Sequence, residues 1–263
     1  MAVRIRSEKE IELMRESGRR LAEVLSAVHA YLKPGLSTLE VDHFAEQKIL
    51  SLGGKPNFRG AEGFPGSICI SINEEIVHGV PSSDHFLHEG DVVSIDTGMD
   101  YQGWQSDAAR TWGIGEISPE ARKLIDVTRE SFFEGMKFMR PGHHLYEVSK
   151  AIGENADRHG YGVVKELSGH GIGRHLHEYP DIPNFAQKRR GPLLMENMTF
   201  AVEPMITEGS PNVVWAEDGM WAVTTADGSL AAHYENTIRI TSGEPELLTI
   251  TREEIEDVES RCN

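Results

Sequence analysis

Two aspartates, Asp96 and Asp107, flank the turn-like stretch Asp100-Tyr101-Gln102-Gly103. A hairpin centred between Tyr101 and Gln102 puts them directly opposite each other. Carboxylates at cross-strand positions repel, and a buried unpaired charge costs several kcal/mol, so a divalent cation between them resolves the conflict. Glu203 ends the apolar run Thr199-Phe200-Ala201-Val202, and Glu235 precedes another strand-like run, Asn236-Thr237-Ile238. Histidines supply the softer donors. Gly169-His170-Gly171-Ile172-Gly173-Arg174-His175-Leu176-His177 is a glycine-rich loop in which imidazoles can converge through tight backbone turns, and His78 follows a separate strand pattern. Imidazole and carboxylate without thiolate suit Mn(II), Fe(II), Co(II) or Zn(II). Four acids and a histidine carry more charge than one ion needs, so two ions about 3–4 Å apart fit better. Such a pair lowers the pKa of a shared water and polarises a carbonyl. The chain has no helical H-E-x-x-H, no phosphate loop and no G-x-S-x-G elbow.

The elements that must position these residues are legible in turn. Ser7 and Glu10 form a capping-box pattern ahead of apolar residues at helical spacing over 7–32, which Pro34-Gly35 ends. A second helix starts at Ser37, boxed to Glu40, and stops at Gly53-Gly54. Ile68, Ile70 and Ile72 alternate with Ser67, Cys69 and Ser71 as in a half-buried strand, and 92–98 and 108–114 are further strand candidates. Ser118-Pro119 opens a third helix, and a fourth carries Leu145, Val148 and Ile152 to near Gly160. Strands are expected around 199–206 and 236–241, then a short acidic helix capped by Thr251 with Glu254. A repeat runs through this order. Pro34-Gly35 recurs as Pro141-Gly142, and the same offset carries Glu40-Val41 to Glu147-Val148, Gly53 to Gly160, and the strand-ending Asp96 to Glu203. The pattern is that of two α/β halves sharing one sheet, with helices on one face and a site where the halves meet. No linker separates them, so 1–263 reads as a single catalytic domain.

Composition bounds the setting. A formal net charge of −16 argues against general affinity for phosphate backbones, and no direct nucleic-acid motif is present. No apolar run approaches the roughly 20 residues needed to span a bilayer, the start lacks a signal-peptide core, and two cysteines (Cys69, Cys262) give no disulfide framework. The expectation is cytoplasmic.

The ordered set His78, Asp96, Asp107, His170, His177, Glu203 and Glu235 resembles the type I methionine aminopeptidases. So do the strings Cys69-Ile70-Ser71-Ile72-Asn73, Val77-His78-Gly79-Val80-Pro81, Gly169-His170-Gly171-Ile172-Gly173 and Val202-Glu203-Pro204. The likeness spans about residues 5 to 250. It implies an α+β pita-bread fold: two pseudo-symmetric halves with a curved, largely antiparallel sheet and helices on the outer face. It implies hydrolysis of the first peptide bond of nascent chains with a small second residue, through a metal-bridged water. Asp96 would chelate one ion and His170 the other, Asp107 and Glu235 would bridge, and Glu203 would ligate and shuttle a proton. His177 would contact the scissile amide, and His78 would hold substrate and the developing tetrahedral species. Cys69, Phe64 and Trp221 match methionine-pocket positions. Ala61-Glu62, Leu176 and Phe58 depart from a common tyrosine, phenylalanine and cysteine, which bears on pocket shape. The resemblance further implies a monomer and, by analogy, contact with the ribosome. Xaa-Pro peptidases on the same scaffold usually carry an additional N-terminal domain, whereas here the catalytic unit begins almost at once.

Overall fold

A computed structural model describes residues 2–216 and 221–255. Cys262 lies outside them. Helix α1 (Glu8–Tyr31) opens at Ser7, whose hydroxyl accepts from the Glu10 N–H while the Glu10 carboxylate accepts the Ser7 N–H at 2.9 Å. Its face Ile11, Met14, Leu21, Val24, Leu25 and Val28 is fully buried. Helix α2 (Thr38–Ser51) repeats the reciprocal cap at Ser37 and Glu40. Helix α3 (Pro119–Met136) is capped by Ser118 with proline in its first turn, where a missing N–H removes no bond. Helix α4 (Leu145–Arg158) starts after His144, whose N–H donates to Glu147 at 2.7 Å. A helical turn opens beyond Thr251, where Glu254 accepts the Thr251 N–H.

The repeat is structural. Both ends of α2 map onto those of α4 at the offset that carries Pro34 to Pro141. Gly35 and Gly142 take left-handed φ of 87° and 91°, and Gly53 and Gly160 take 76° and 79°. Isolated bridges Ser37–Phe86 and His144–Leu193 occupy equivalent places. Each half buries its own core. Leu21, Val41, Ile49, Ile70, Val93 and Ile95 join α1 and α2 to the first-half strands, and Phe132, Val148, Ile152, Phe200 and Ile238 join α3 and α4 to the second.

Among the described residues, hydrogen bonding groups the strands into four antiparallel sheets. One contains Ile68–Ile72 and the long hairpin Val92–Tyr101/Trp104–Gly113; another contains Gly169–Gly171, Glu178–Ile182, Thr199–Val202, Asn236–Arg239 and Glu246–Leu247. A break at Glu203-Pro204 splits the strand expected over 199–206 into Thr199–Val202 and Met205–Thr207. The proline has no N–H to give the ladder. The Glu235 N–H donates to Ala109 O at 2.9 Å, and Thr237 Oγ1 bonds both the N–H and the carbonyl of Asp107. The two halves are thereby joined at the acids themselves.

Two local expectations are corrected. Ile68–Ile72 is buried on both faces, not one. Its isoleucines pack into the core under α2, while Cys69 faces an internal pocket and Ser71 Oγ accepts from Gly79 N–H at 3.1 Å. The hairpin is centred between Gln102 and Gly103. Asp107 therefore pairs with Gly98, and Asp96 with Ala109. Gln102 and Gly103 both have positive φ, 54° and 78°, as a two-residue type I′ turn demands, and glycine supplies the second at no steric cost. That turn sets the register. A two-residue displacement preserves parity, so both aspartates still emerge on the same face.

Candidate active site

Five donors meet where the halves join. Asp96 stands mid-strand between Cys69 and Ala109, and Asp107 lies diagonally across the hairpin. His170 sits on the strand Gly169–Gly171. Here the neighbouring glycines serve close approach more than turning: a Cβ on Gly169 would lie 2.4 Å from Ala201 O, and one on Gly171 2.5 Å from Tyr179 O. His170 Nδ1 lies 2.9 Å from Gly171 O. Donation there places the proton on Nδ1 and leaves Nε2 as a free lone pair facing the acids. Nε2 is 3.6 Å from Glu203 Oε1 and 3.7 Å from Asp107 Oδ2. Ligand atoms of Asp107, His170 and Glu235 all lie within 4.8 Å of one another. Asp96 lies against Asp107 and Glu235 of that trio.

The electrostatics are those of a site built around a cation. Asp96 Oδ1, Asp107 Oδ1 and Glu235 Oε1 are buried without a hydrogen-bond partner. Burial pushes Asp96 up to about 7. Burial, then repulsion from Glu235 and Asp96, pushes Asp107 far above the carboxylate range; Glu203 and Glu235 are raised by burial and by the neighbouring acids. Burial, then His177, lowers His170 to about 4. Neutral imidazoles beside acids that resist ionising are a poor resting arrangement. They become a favourable one when a divalent ion replaces the protons. The orphaned oxygens and the free Nε2 fit such an ion.

A pocket of about 170 Å³ adjoins these acids. Phe64 meets Trp221 edge-on with ring centroids 5.1 Å apart, and Phe58 and Cys69 pack with them. Leu176 and Ala61 complete the wall, and Glu62 adds a carboxylate at its edge. Cys69 is a free thiol whose ionisation burial strongly opposes. His177 stacks edge-to-face on His170 at 4.4 Å, and His78 stands at the same opening with a left-handed φ of 61°. Burial lowers both His78 and His177. The pocket opens into a groove of about 910 Å³ that includes Arg4, His175, Tyr179 and Asp181. All the residues singled out in the sequence are therefore gathered here, with His175 displaced to the groove.

Sequence reasoning missed two residues. His233 is buried behind Glu203, its Nε2 3.6 Å from Glu203 Oε2. It stands two positions before Glu235, and period-two spacing was the signal available. Arg110, buried on the hairpin, donates to Glu235 O, to Asn236 Oδ1 at 3.0 Å and to Glu254 at 2.7 and 2.8 Å.

Buried acids and an imidazole at the mouth of an apolar pocket, on two symmetry-related α/β halves, define a metallopeptidase. The chain belongs to metallopeptidase family M24, whose model matches residues 12–242. It is similar to the methionine aminopeptidase of Clostridium acetobutylicum, with 48% identity over 246 residues covering 94% of this chain and 98% of that one. Methionine aminopeptidase 1 of Bacillus subtilis is 42% identical over 92% of this chain and 96% of its own length. The solved methionine aminopeptidase of Thermotoga maritima superposes with a TM-score of 0.92 at 40% identity, covering 95% and 100% of the two chains. A prolidase from Pyrococcus furiosus shares the fold alone, with a TM-score of 0.77 at 24% identity over 94% of this chain and 66% of that one. The architecture is thus the pita-bread fold, and family membership implies a divalent-metal site.

Proposed function

We propose that this protein is a methionine aminopeptidase, a single catalytic domain that removes the initiator methionine from chains with a small second residue. The supporting observation is the small pocket beside the acids: Phe58, Phe64, Cys69, Leu176 and Trp221 line it, and this apolar, aromatic wall suits a thioether. Asp96, Asp107 and Glu235 would hold one divalent ion, and Asp107, Glu235, His170 and Glu203 a second, of Mn, Co, Fe or Zn. When bound, the ions supply Lewis acidity toward a water and toward the scissile carbonyl. The residues do the rest. Glu203, ionised once an ion is held beside it, then accepts a proton from the water and passes it to the departing amide nitrogen; its burial among other acids favours that uptake. His177 and His78, neutral at the opening, bond the scissile amide and the oxygen on which charge develops. The aromatic wall excludes water from the methionine side chain. The substrates are nascent N-termini, met by a monomer in the cytoplasm near the ribosome; among the described residues no helix is long and apolar enough to cross a membrane.

The test is chelator-treated protein assayed on Met-Ala-Ser and Ala-Pro-Ser, with Mn(II), Co(II), Fe(II) or Zn(II) added back. Metal-dependent release of methionine alone is expected. Asp107→Asn should lose both metal retention and activity, and His177→Ala should lower kcat by ~10²–10³-fold with metal retained. Cleavage of Ala-Pro-Ser, or no cleavage with any ion, would refute the assignment.

A further inference from the structure

His233 is a fully buried imidazole in which neither ring nitrogen has a hydrogen-bond partner. Nε2 faces Glu203, 3.6 Å from Oε2, while the other oxygen of that carboxylate lies 3.6 Å from His170 Nε2. Glu203 thus sits between two imidazoles, one at each oxygen. The backbone enforces this. His233 pairs with Met205 across antiparallel strands. Its N–H donates to Thr111 Oγ1 at 2.8 Å, and its carbonyl accepts from the same hydroxyl at 2.9 Å. The next residue, Tyr234, donates its N–H to Pro204 O at 3.2 Å. These bonds tie His233 to the hairpin carrying Asp107 and its neighbour Tyr234 to the turn that follows Glu203.

Buried polar groups left unpaired are uncommon because the loss is not offset by water. Here the unpaired nitrogen looks at a carboxylate across a gap only slightly longer than a hydrogen bond. We propose that His233 is a positioning residue for Glu203. The neutral ring donates Nε2–H to Oε2, which fixes the rotation of the carboxylate and keeps Oε1 turned toward the side of His170. The proposal rests on the reading in which Glu203 both ligates a metal and moves a proton. Partners that orient a ligand from behind typically alter metal affinity or activity ~10–100-fold when removed.

The experiment compares wild type, His233→Leu, which keeps apolar bulk without a donor, and His233→Gln, which restores a side-chain N–H. Three quantities are read: kcat and KM on Met-Ala-Ser, Co(II) affinity from the visible absorption of the bound ion, and melting temperature. His233→Leu should lose ~10–100-fold in kcat with KM nearly unchanged, weaken Co(II) about tenfold, and regain most of both as His233→Gln. Wild-type kcat and Co(II) affinity in His233→Leu, or a folded His233→Gln no better than leucine, would overturn it. Should leucine fail to fold, glutamine decides: kcat within about threefold of wild type supports the proposal, and a loss of tenfold or more overturns it. If wild type releases no methionine, the functional assignment fails by itself, and the Co(II) titration still judges His233.

Discussion

At the scale of residues, the site is a conflict that protons relieve only partly. Burial and mutual repulsion keep Asp107, Glu203 and Glu235 protonated far above the usual range, with Asp96 held up to about 7. Burial likewise pushes His170 down to about 4 and His233 to about 3, and lowers His78 and His177. Between about pH 4 and 6.5 these sets oppose each other: the folded chain keeps protons on acids that the unfolded chain has released, and has shed imidazole protons that the unfolded chain retains. Above about pH 7.5, a unit past the ordinary histidine value, the imidazoles are neutral in both states. Only the acids then differ. The folded state binds more protons, so the stability of metal-free protein falls as pH rises, by about 1.4 kcal/mol per pH unit for each proton held. Calorimetric melting of chelated protein from pH 7.5 to 8.5 should show a declining Tm that excess Mn(II) flattens. Metal binding at pH 7 should release protons, countable by titration in buffers of different ionisation heat. A flat or rising metal-free Tm would reject this account. Residue types and order made the acids, His170, His177 and His78 readable. His233 was not, because its role depends on Thr111 and Met205, which lie across strands that no local pattern specifies.

At the scale of elements, caps and punctuation carried most of the information. The Ser7–Glu10 and Ser37–Glu40 boxes, the Ser118-Pro119 start and the αL glycines after α2 and α4 are local signals, and the helices begin and end where those signals fall. The hairpin register was misread by two residues because Gln102 at positive φ is not an obvious turn former, and the strand at Cys69 was misjudged because alternation cannot report cover on the second face. Tertiary contact also reverses propensity. Gly18 lies mid-helix in α1, where alanine is favoured by about 1 kcal/mol. A Cβ there would stand 2.3 Å from Leu248 O and 2.7 Å from its carbonyl carbon. Backbone cannot yield as a side chain does, and overpacking costs about 1–3 kcal/mol. Gly18→Ala should therefore lower Tm; an unchanged or raised Tm in differential scanning calorimetry would show that α1 can slide off the 246–248 segment.

At the scale of the whole molecule, the halves are sewn together through charges that reach across. Arg6, buried near the start, pairs with Glu178, whose other oxygen accepts the N–H groups of Arg174 and His175 and so shapes the turn before His177. Arg110 leaves the first-half hairpin, holds the Glu235 carbonyl and is gripped by Glu254 near the end of the described chain. Burial opposes ionisation of Glu254, yet Arg110 holds it down to about 2. Removing one member of such a pair leaves the other charged and dry, at a cost of about 3–5 kcal/mol. Arg110→Met should destabilise metal-free protein by about that amount in urea, and Arg110→Met with Glu254→Gln should cost less than the two changes summed. Strict additivity would mean that the pair does not act as a unit. The repeat was visible from Pro34-Gly35 and Pro141-Gly142, but these crossing pairs were not, since sequence spacing does not report which acid a distant arginine meets.

The division of the donors between the halves has a consequence in time. Synthesis delivers Asp96 and Asp107 first and Glu235 last of the five donors, and the Arg110–Glu254 grip behind Glu235 arrives later still. On the proposed reading, a half-made copy on its own ribosome is inert. On that reading hydrolysis needs Glu235 as well as Asp96 and Asp107, so the order of translation itself would act as a safety catch on a peptidase whose substrates are other emerging chains.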